Sequence, residues 1–186
     1  EELAALFAEF NSLHPWNQIT LGVGVQTINL NVLRTIRRAI RIENFEQTFD
    51  LLKKYNVYAK IDLIVGMPGE DLASIEKTLE YMLDKLSDSQ AHLLCCHVMR
   101  GLPGTELLEI AEKHGMVFSS KYEPHELLES PTLPREDMLK CLRRTGVIFR
   151  LINHGGWADR EFISGKESNE TSVRDAFFAT KVRLGI

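Results

Sequence analysis

Apolar residues recur at helical spacing where the chain opens: Leu3, Leu6, Phe7, Phe10 and Leu13 mark one face of a helix that His14-Pro15-Trp16 ends. The period then shortens to two. From Gln18 to Gln26, Leu21, Val23 and Val25 alternate with Thr20, Gly22, Gly24 and Gln26, which predicts a strand. One face suits packing against helices; the other is nearly bare of side chains until Gln26, as a closely approached ligand would require. A helix is expected from about Asn31 to Arg41, with Leu33, Ile36 and Ile40 inward and Arg34, Arg38 and Arg41 along another face. Phe45, Phe49 and Leu52 form a further helical pattern that leads through Asn56 into the central stretch.

That stretch runs Ile61-Asp62-Leu63-Ile64-Val65-Gly66-Met67-Pro68-Gly69-Glu70. Its apolar run predicts a buried parallel strand, its glycines and proline a sharp turn, and the residues after it a helix from about Leu72 to Leu86. Ile61, Leu63 and Val65 share the helix-facing side, and Asp62 lies on the other. A third strand is expected over Ala91 to Val98, followed by the turn Gly101-Leu102-Pro103-Gly104-Thr105, with Thr105 capping a helix that ends near His114-Gly115. Successive strand–helix units build a parallel sheet. The fold class is therefore α/β, a partial TIM-like (β/α) barrel of roughly three parallel strand–helix units with a mostly helical C-terminal extension. The half-barrel is assigned to residues 1–117 and the extension to 118–186, where Pro124, Pro131 and Pro134 break the pattern. A helix from about Arg135 to Ile152, the segment His154-Gly155-Gly156-Trp157 and a helical pattern near Ser172–Arg183 complete the extension. Three strands cannot close a barrel, and bare sheet edges imply self-association or a complementary half.

Composition narrows the function classes. The 186 residues are 44% hydrophobic, enough for one core, and the net charge of −4 gives no support to a nucleic-acid reading, which would want a basic surface. No apolar run reaches the roughly 18 residues of a membrane span, and Glu1-Glu2 followed by an amphipathic pattern does not read as a signal peptide. Cys95, Cys96 and Cys141 are not spaced as a disulfide framework, so a reducing, cytoplasmic setting is expected.

Several residues carry candidate chemistry. Gln26 and Asp62 end the bare faces of two neighbouring strands, and a carboxylate with two acceptors suits vicinal hydroxyls such as those of a ribose. The alternative is an ion pair of Asp62 with a neighbour such as Lys60. Arg38 is either part of a solvated basic helix face or a clamp on a ligand carboxylate. In His92-Leu93-Leu94-Cys95-Cys96-His97 the strand period puts His92 and Cys96 on one face and Cys95 and His97 on the other. Zinc wants converging ligands, so no metal site is assigned, Cys95 and Cys96 are read as small buried residues, and His97 as a residue lining a pocket. The turns at Gly69 and Gly104 precede helices and offer a weak anion signal.

Taken together, these residues resemble the radical S-adenosylmethionine superfamily, the fourth to sixth strand–helix units of its partial barrel. The resemblance is carried by Gly24-Val25-Gln26-Thr27, by Arg38, by Ile61 through Gly69, and by Leu102-Pro103-Gly104-Thr105-Glu106-Leu107. In relatives such as the oxygen-independent coproporphyrinogen oxidases, the residues matching Gln26 and Asp62 contact the cofactor's ribose and the one matching Arg38 holds its carboxylate. The resemblance thus implies S-adenosylmethionine as ligand, with a [4Fe-4S] cluster and a 5′-deoxyadenosyl radical abstracting hydrogen from an unspecified substrate in the whole enzyme. Tyr122 through Pro131 is similar to the tail of members with an upstream cobalamin-binding domain, which adds cobalamin as a further cofactor. The Cys-x3-Cys-x2-Cys loop of the family and its glycine-rich second-strand segment are missing from these residues, so an N-terminal half is expected to supply them. No catalytic residue is assigned. Two alternatives stand beside this reading: a non-catalytic half-barrel scaffold pairing through its open edges, and a phosphate-binding barrel enzyme using the Gly69 or Gly104 turn.

Overall fold

The computed structural model describes residues 1–86, 92–119 and 125–153. Helix α1 (Glu2–Leu13) is fastened to the first strand by Asn11, whose amide donates to the Ile19 carbonyl at 3.1 Å and accepts from the Ile19 N–H at 2.6 Å. Strand β1 (Thr20–Gln26), helices α2 (Leu30–Thr35) and α3 (Ile42–Lys54), strand β2 (Tyr58–Val65), helix α4 (Leu72–Leu86) and strand β3 (His92–Val98) follow. The strands form a parallel sheet in the order β1-β2-β3. This is the α/β arrangement of successive strand–helix units that a (β/α) barrel repeats.

Binary patterning explains the layering. Val25, Ala59, Ile61, Leu63, Val65 and Leu94 are buried in one cluster with Phe45, Phe49 and Leu52 of α3 and Ile75, Leu79, Met82, Leu83 and Leu86 of α4. The opposite side carries Gly22, Gly24, Lys60, Asp62, Ile64, Cys95 and His97, none of them fully buried. In register, Gly24, Asp62 and Cys95 form one row across the strands, and Ile64 and His97 form the next. Parallel neighbours in register point to the same face, so each row places its side chains together.

The expected helix over 31–41 is corrected. Helix α2 stops at Thr35, and Arg34, Arg38 and Arg41 do not share a helical face. Arg37 adopts a left-handed φ of 56°, its N–H donates to the Arg34 carbonyl, and the Arg38 N–H donates to the Leu33 carbonyl. These two bonds are a Schellman ending, which satisfies the terminal carbonyls and turns the chain away from the helix axis. Asn56 ends α3 in the same manner with φ 49°, and Gly115 ends the helix Glu106–Lys113 with φ 65°.

Beyond β3 the chain builds a second, antiparallel sheet in the order β4-β6-β5, from β4 (Arg100–Gly101), β5 (Val117–Phe118) and β6 (His125–Glu129). Helix α5 (Glu106–Lys113) lies between β4 and β5, with the Thr105 hydroxyl accepting from the Leu108 N–H as its cap. This sheet draws strands from both sides of the 117/118 boundary and adds β structure to an extension read as mostly helical. It is tied to the first sheet at Met99, whose N–H donates to Val65 and whose carbonyl accepts from Leu127. Helix α6 (Arg135–Asn153) packs against α4, β3 and β6, with an Arg144–Glu76 ion pair joining it to α4. The segment His154–Trp157 and the helical pattern near Ser172–Arg183 lie outside the described residues. Among the described residues no helix is long and apolar enough to cross a membrane.

Candidate functional site

The three residues singled out for a ligand gather around Gly24. Arg38, released from the helix by the turn at Arg37, reaches back so that its Nη2 donates to the Gly24 carbonyl at 2.5 Å. A Cβ at Gly24 would stand 3.3 Å from Arg38 Nη2 and 3.7 Å from Gln26 Nε2, so both side chains close on the same point. Gln26 is held there by its own backbone, with φ 63° and a register shift in β1 between Gly24 and Gln26. Such an irregularity at a strand end re-aims a side chain. Asp62 is the direct partner of Gly24 on β2, one strand spacing away. At Gly22 nothing lies within 4 Å of where a Cβ would be, so the face stays open along β1.

Asp62 keeps 31% of its side chain exposed and has two nitrogen neighbours on its Oδ1, Lys60 Nζ at 3.3 Å and His97 Nε2 at 3.4 Å. Neither approach has hydrogen-bond geometry, and the buried Oδ1 has no hydrogen bond among the described residues. The ion pair with Lys60 therefore exists, yet it leaves the acceptor available. His97 lies beside the site, as expected of a pocket-lining residue. Cys95 and Cys96 are only partly buried, which corrects the expectation of full burial; Cys141 on α6 is the buried one among the described cysteines. Burial pushes the Cys95 thiol above its ordinary value, with Lys60 opposing and Asp62 adding to the shift. Burial also pushes Cys96 up to about 12.

The turn after β2 departs from the anion-site expectation. Glu70, 1% exposed, accepts from both the Gly66 and Met67 N–H groups through Oε2 at 3.1 Å. The donors an incoming phosphate would want are already taken. Just beyond, Asp71 and Ser74 bond reciprocally at the start of α4, and hydrogen bonding from Ser74 holds the Asp71 carboxyl below its ordinary value. A negative charge in that position opposes a second anion. Burial raises Glu70 to about 7, against the lowering effect of hydrogen bonds from Thr27, Met67 and Gly66. Glu70 was missed as a residue of consequence; its one signal was position, a carboxylate directly after Gly66-Met67-Pro68-Gly69. A surface cavity of about 700 Å³, lined by Arg34, Arg38, Arg41, Ile42 and Gln47 among others, takes in Arg38 but neither Gln26 nor Asp62.

The site thus defines a class: an α/β protein with a polar cluster near the carboxyl ends of parallel strands, where such folds hold ligands. Residues 1–82 match the model of the radical SAM superfamily, to which that segment is similar. Gln26, Arg38 and Asp62 all fall inside the matched segment. The chain is 30% identical over 89 residues to the threonylcarbamoyladenosine tRNA methylthiotransferase MtaB of Thermotoga maritima. That match covers 47% of this chain and 20% of the relative, so the chain spans about a fifth of the relative's length. A solved structure of the archaeal Methanocaldococcus infernus Elp3 with an N-terminal deletion is 18% identical, at a TM-score of 0.48 covering 77% of this chain and 29% of that one.

Proposed function

We propose that this chain is the half of a radical S-adenosylmethionine enzyme that orients the cofactor, with residues 1–117 as half-barrel and 118–186 as an extension shaping substrate access. The observation that carries the reading is the convergence of Gln26 and Arg38 on Gly24 opposite an Asp62 whose Oδ1 lacks a hydrogen bond. Ribose hydroxyls would donate to Asp62 and to the Gln26 carbonyl oxygen, and the cofactor carboxylate would accept from Arg38. Bare backbone at Gly22 and Gly24 lets a ligand lie close to the strand.

The described residues do not fit a [4Fe-4S] cluster. Cys95 and Cys96 are adjacent on one strand and so face opposite ways, and Cys141 is buried on α6. In this reading the cluster, and the radical chemistry it supplies, belong to residues beyond this chain, and the contribution here is orientation and enclosure. The setting is the reducing cytoplasm. A nucleic-acid substrate is not part of the proposal, because a net charge of −4 gives that reading no support.

Calorimetric titration of the chain with S-adenosylmethionine tests the site. Binding that weakens at least about tenfold in Asp62→Ala and in Arg38→Ala is expected, consistent with loss of charge-assisted hydrogen bonds. Affinity unchanged in both variants would overturn the assignment.

A second reading, pairing through open edges, is favoured by α1, which exposes Leu3, Leu6 and Leu13 beside a Trp16 that is 99% exposed. Self-association measured by light scattering follows from it. A monomer over a wide concentration range would remove it.

A further inference from the structure

We propose that Asp62, Cys95 and His97 form a binding site for a zinc-like divalent cation on the open face of the sheet. A carboxylate oxygen, a thiol sulfur and an imidazole nitrogen from these residues all lie within 4.8 Å of one another. The fold imposes this convergence. Cys95 and His97 are two apart on β3 and share a face, and the register sets Asp62 directly beside Cys95.

The geometry is close to that of a metal centre. Metal–ligand bonds of about 2.0–2.3 Å at tetrahedral angles put ligand atoms about 3.3–3.7 Å apart. Asp62 Oδ1 and His97 Nε2 already stand at 3.4 Å, and Cys95, within 4.8 Å of both, has to close by at most roughly an ångström, within the swing of a partly exposed side chain. Among the described residues Asp62 Oδ1 has no hydrogen bond to surrender. Mixed O, S and N donors select a borderline-soft ion over magnesium or calcium. Three protein ligands leave a fourth position open to water or to a ligand donor.

Lys60 is the built-in competitor. Its Nζ sits 3.3 Å from the same Oδ1, and with 44% of its side chain exposed it is free to swing into solvent when a dication arrives. Asp62 is shared with the proposed ribose contact, but Cys95 and His97 are not, and Gln26 and Arg38 play no part in the metal site. The two readings can therefore fail separately, and together they make the cation and S-adenosylmethionine mutually exclusive on Asp62.

The test is titration of the reduced chain with zinc chloride and with cobalt chloride, the reductant being removed under inert gas before metal is added. One equivalent is expected, with a thiolate-to-cobalt charge-transfer band in the near ultraviolet. The band disappears in Cys95→Ser and persists in Cys96→Ser, Cys141→Ser and Gln26→Ala. Zinc affinity falls at least about tenfold in Cys95→Ser and in His97→Asn, and rises a few-fold in Lys60→Met. Circular dichroism of each variant checks that it folds. Absence of stoichiometric binding at micromolar metal, or binding indifferent to both Cys95→Ser and His97→Asn, would overturn the site.

Discussion

The two faces of the parallel sheet are built from the same strands and obey opposite rules. One face is closed: Val25, Ile61 and Leu94 are 0% exposed beneath α3 and α4. The other is open and polar, with Lys60, Asp62, Cys95 and His97 close together and glycines, Gly22 and Gly24, at the β1 positions beside Lys60 and Asp62. Alternation along a strand makes this separation possible, because neighbouring residues contribute to different faces. Apolar burial is concentrated on the first face, and the proposed site lies on the second. A polar cluster of that kind would be expensive inside the core, where each unpaired group loses its hydration.

The comparison is tested first on the closed face. Ile61→Ala leaves a cavity between sheet and helices and is expected to cost about 2–5 kcal/mol in chemical denaturation. A cost under 1 kcal/mol would mean that this face is not the main store of stability. Gly66→Ala probes the edge where the faces meet. Gly66 has φ 88°, and an added Cβ would collide with Leu127 and Met138 of the second sheet and α6. Strain and overlap together predict a loss of about 2–4 kcal/mol, read in the same assay.

Glu70 supplies a pH-dependent version of the test. Its folded-state value of about 7 lies above the ordinary 4.5, so folding favours the protonated carboxyl. The stability it contributes is complete below about 4.5 and is lost as pH rises through 7, in total about 3 kcal/mol from this group. Glu70→Gln, which mimics the neutral form, should flatten the stability profile across that window. A profile equally steep in the variant would assign the dependence to another group.

What was legible in the sequence follows the strength of local pattern. Strand β2 and helix α4 stand where period two and period 3.6 place them, with α4 bounded at Leu72 and Leu86. Thr105 and Gly115 announced the start and end of α5 by residue type alone. The end of α2 carried no such sign. A left-handed C-terminal residue is usually glycine or asparagine, and here it is Arg37, inside a run whose apolar spacing continues. The short strands β4 and β5 hold two residues each, too few to show alternation. The Asp62–Cys95–His97 cluster was hidden for a different reason. Periodicity assigns faces within one strand, whereas this cluster depends on the register between two.

The smallest expected change in stability separates the faces most sharply. Asp62→Asn keeps the volume of the side chain and removes its charge. The pairs it breaks, with Lys60 and His97, involve side chains that are 44% and 50% exposed, where ion pairs contribute roughly 0–1 kcal/mol. Its Oδ1 has no hydrogen bond to lose among the described residues. Denaturation should therefore shift by less than about 1 kcal/mol, far less than for its neighbour Ile61. Binding should respond in the opposite proportion. An amide presents one acceptor where the carboxylate presents two, so a vicinal diol loses a partner, and affinity for S-adenosylmethionine should fall at least about tenfold. A variant that loses stability on the scale of Ile61→Ala while binding is unchanged would reverse the assignment: Asp62 would be a structural residue, and the open face would owe its polarity to folding rather than to a ligand.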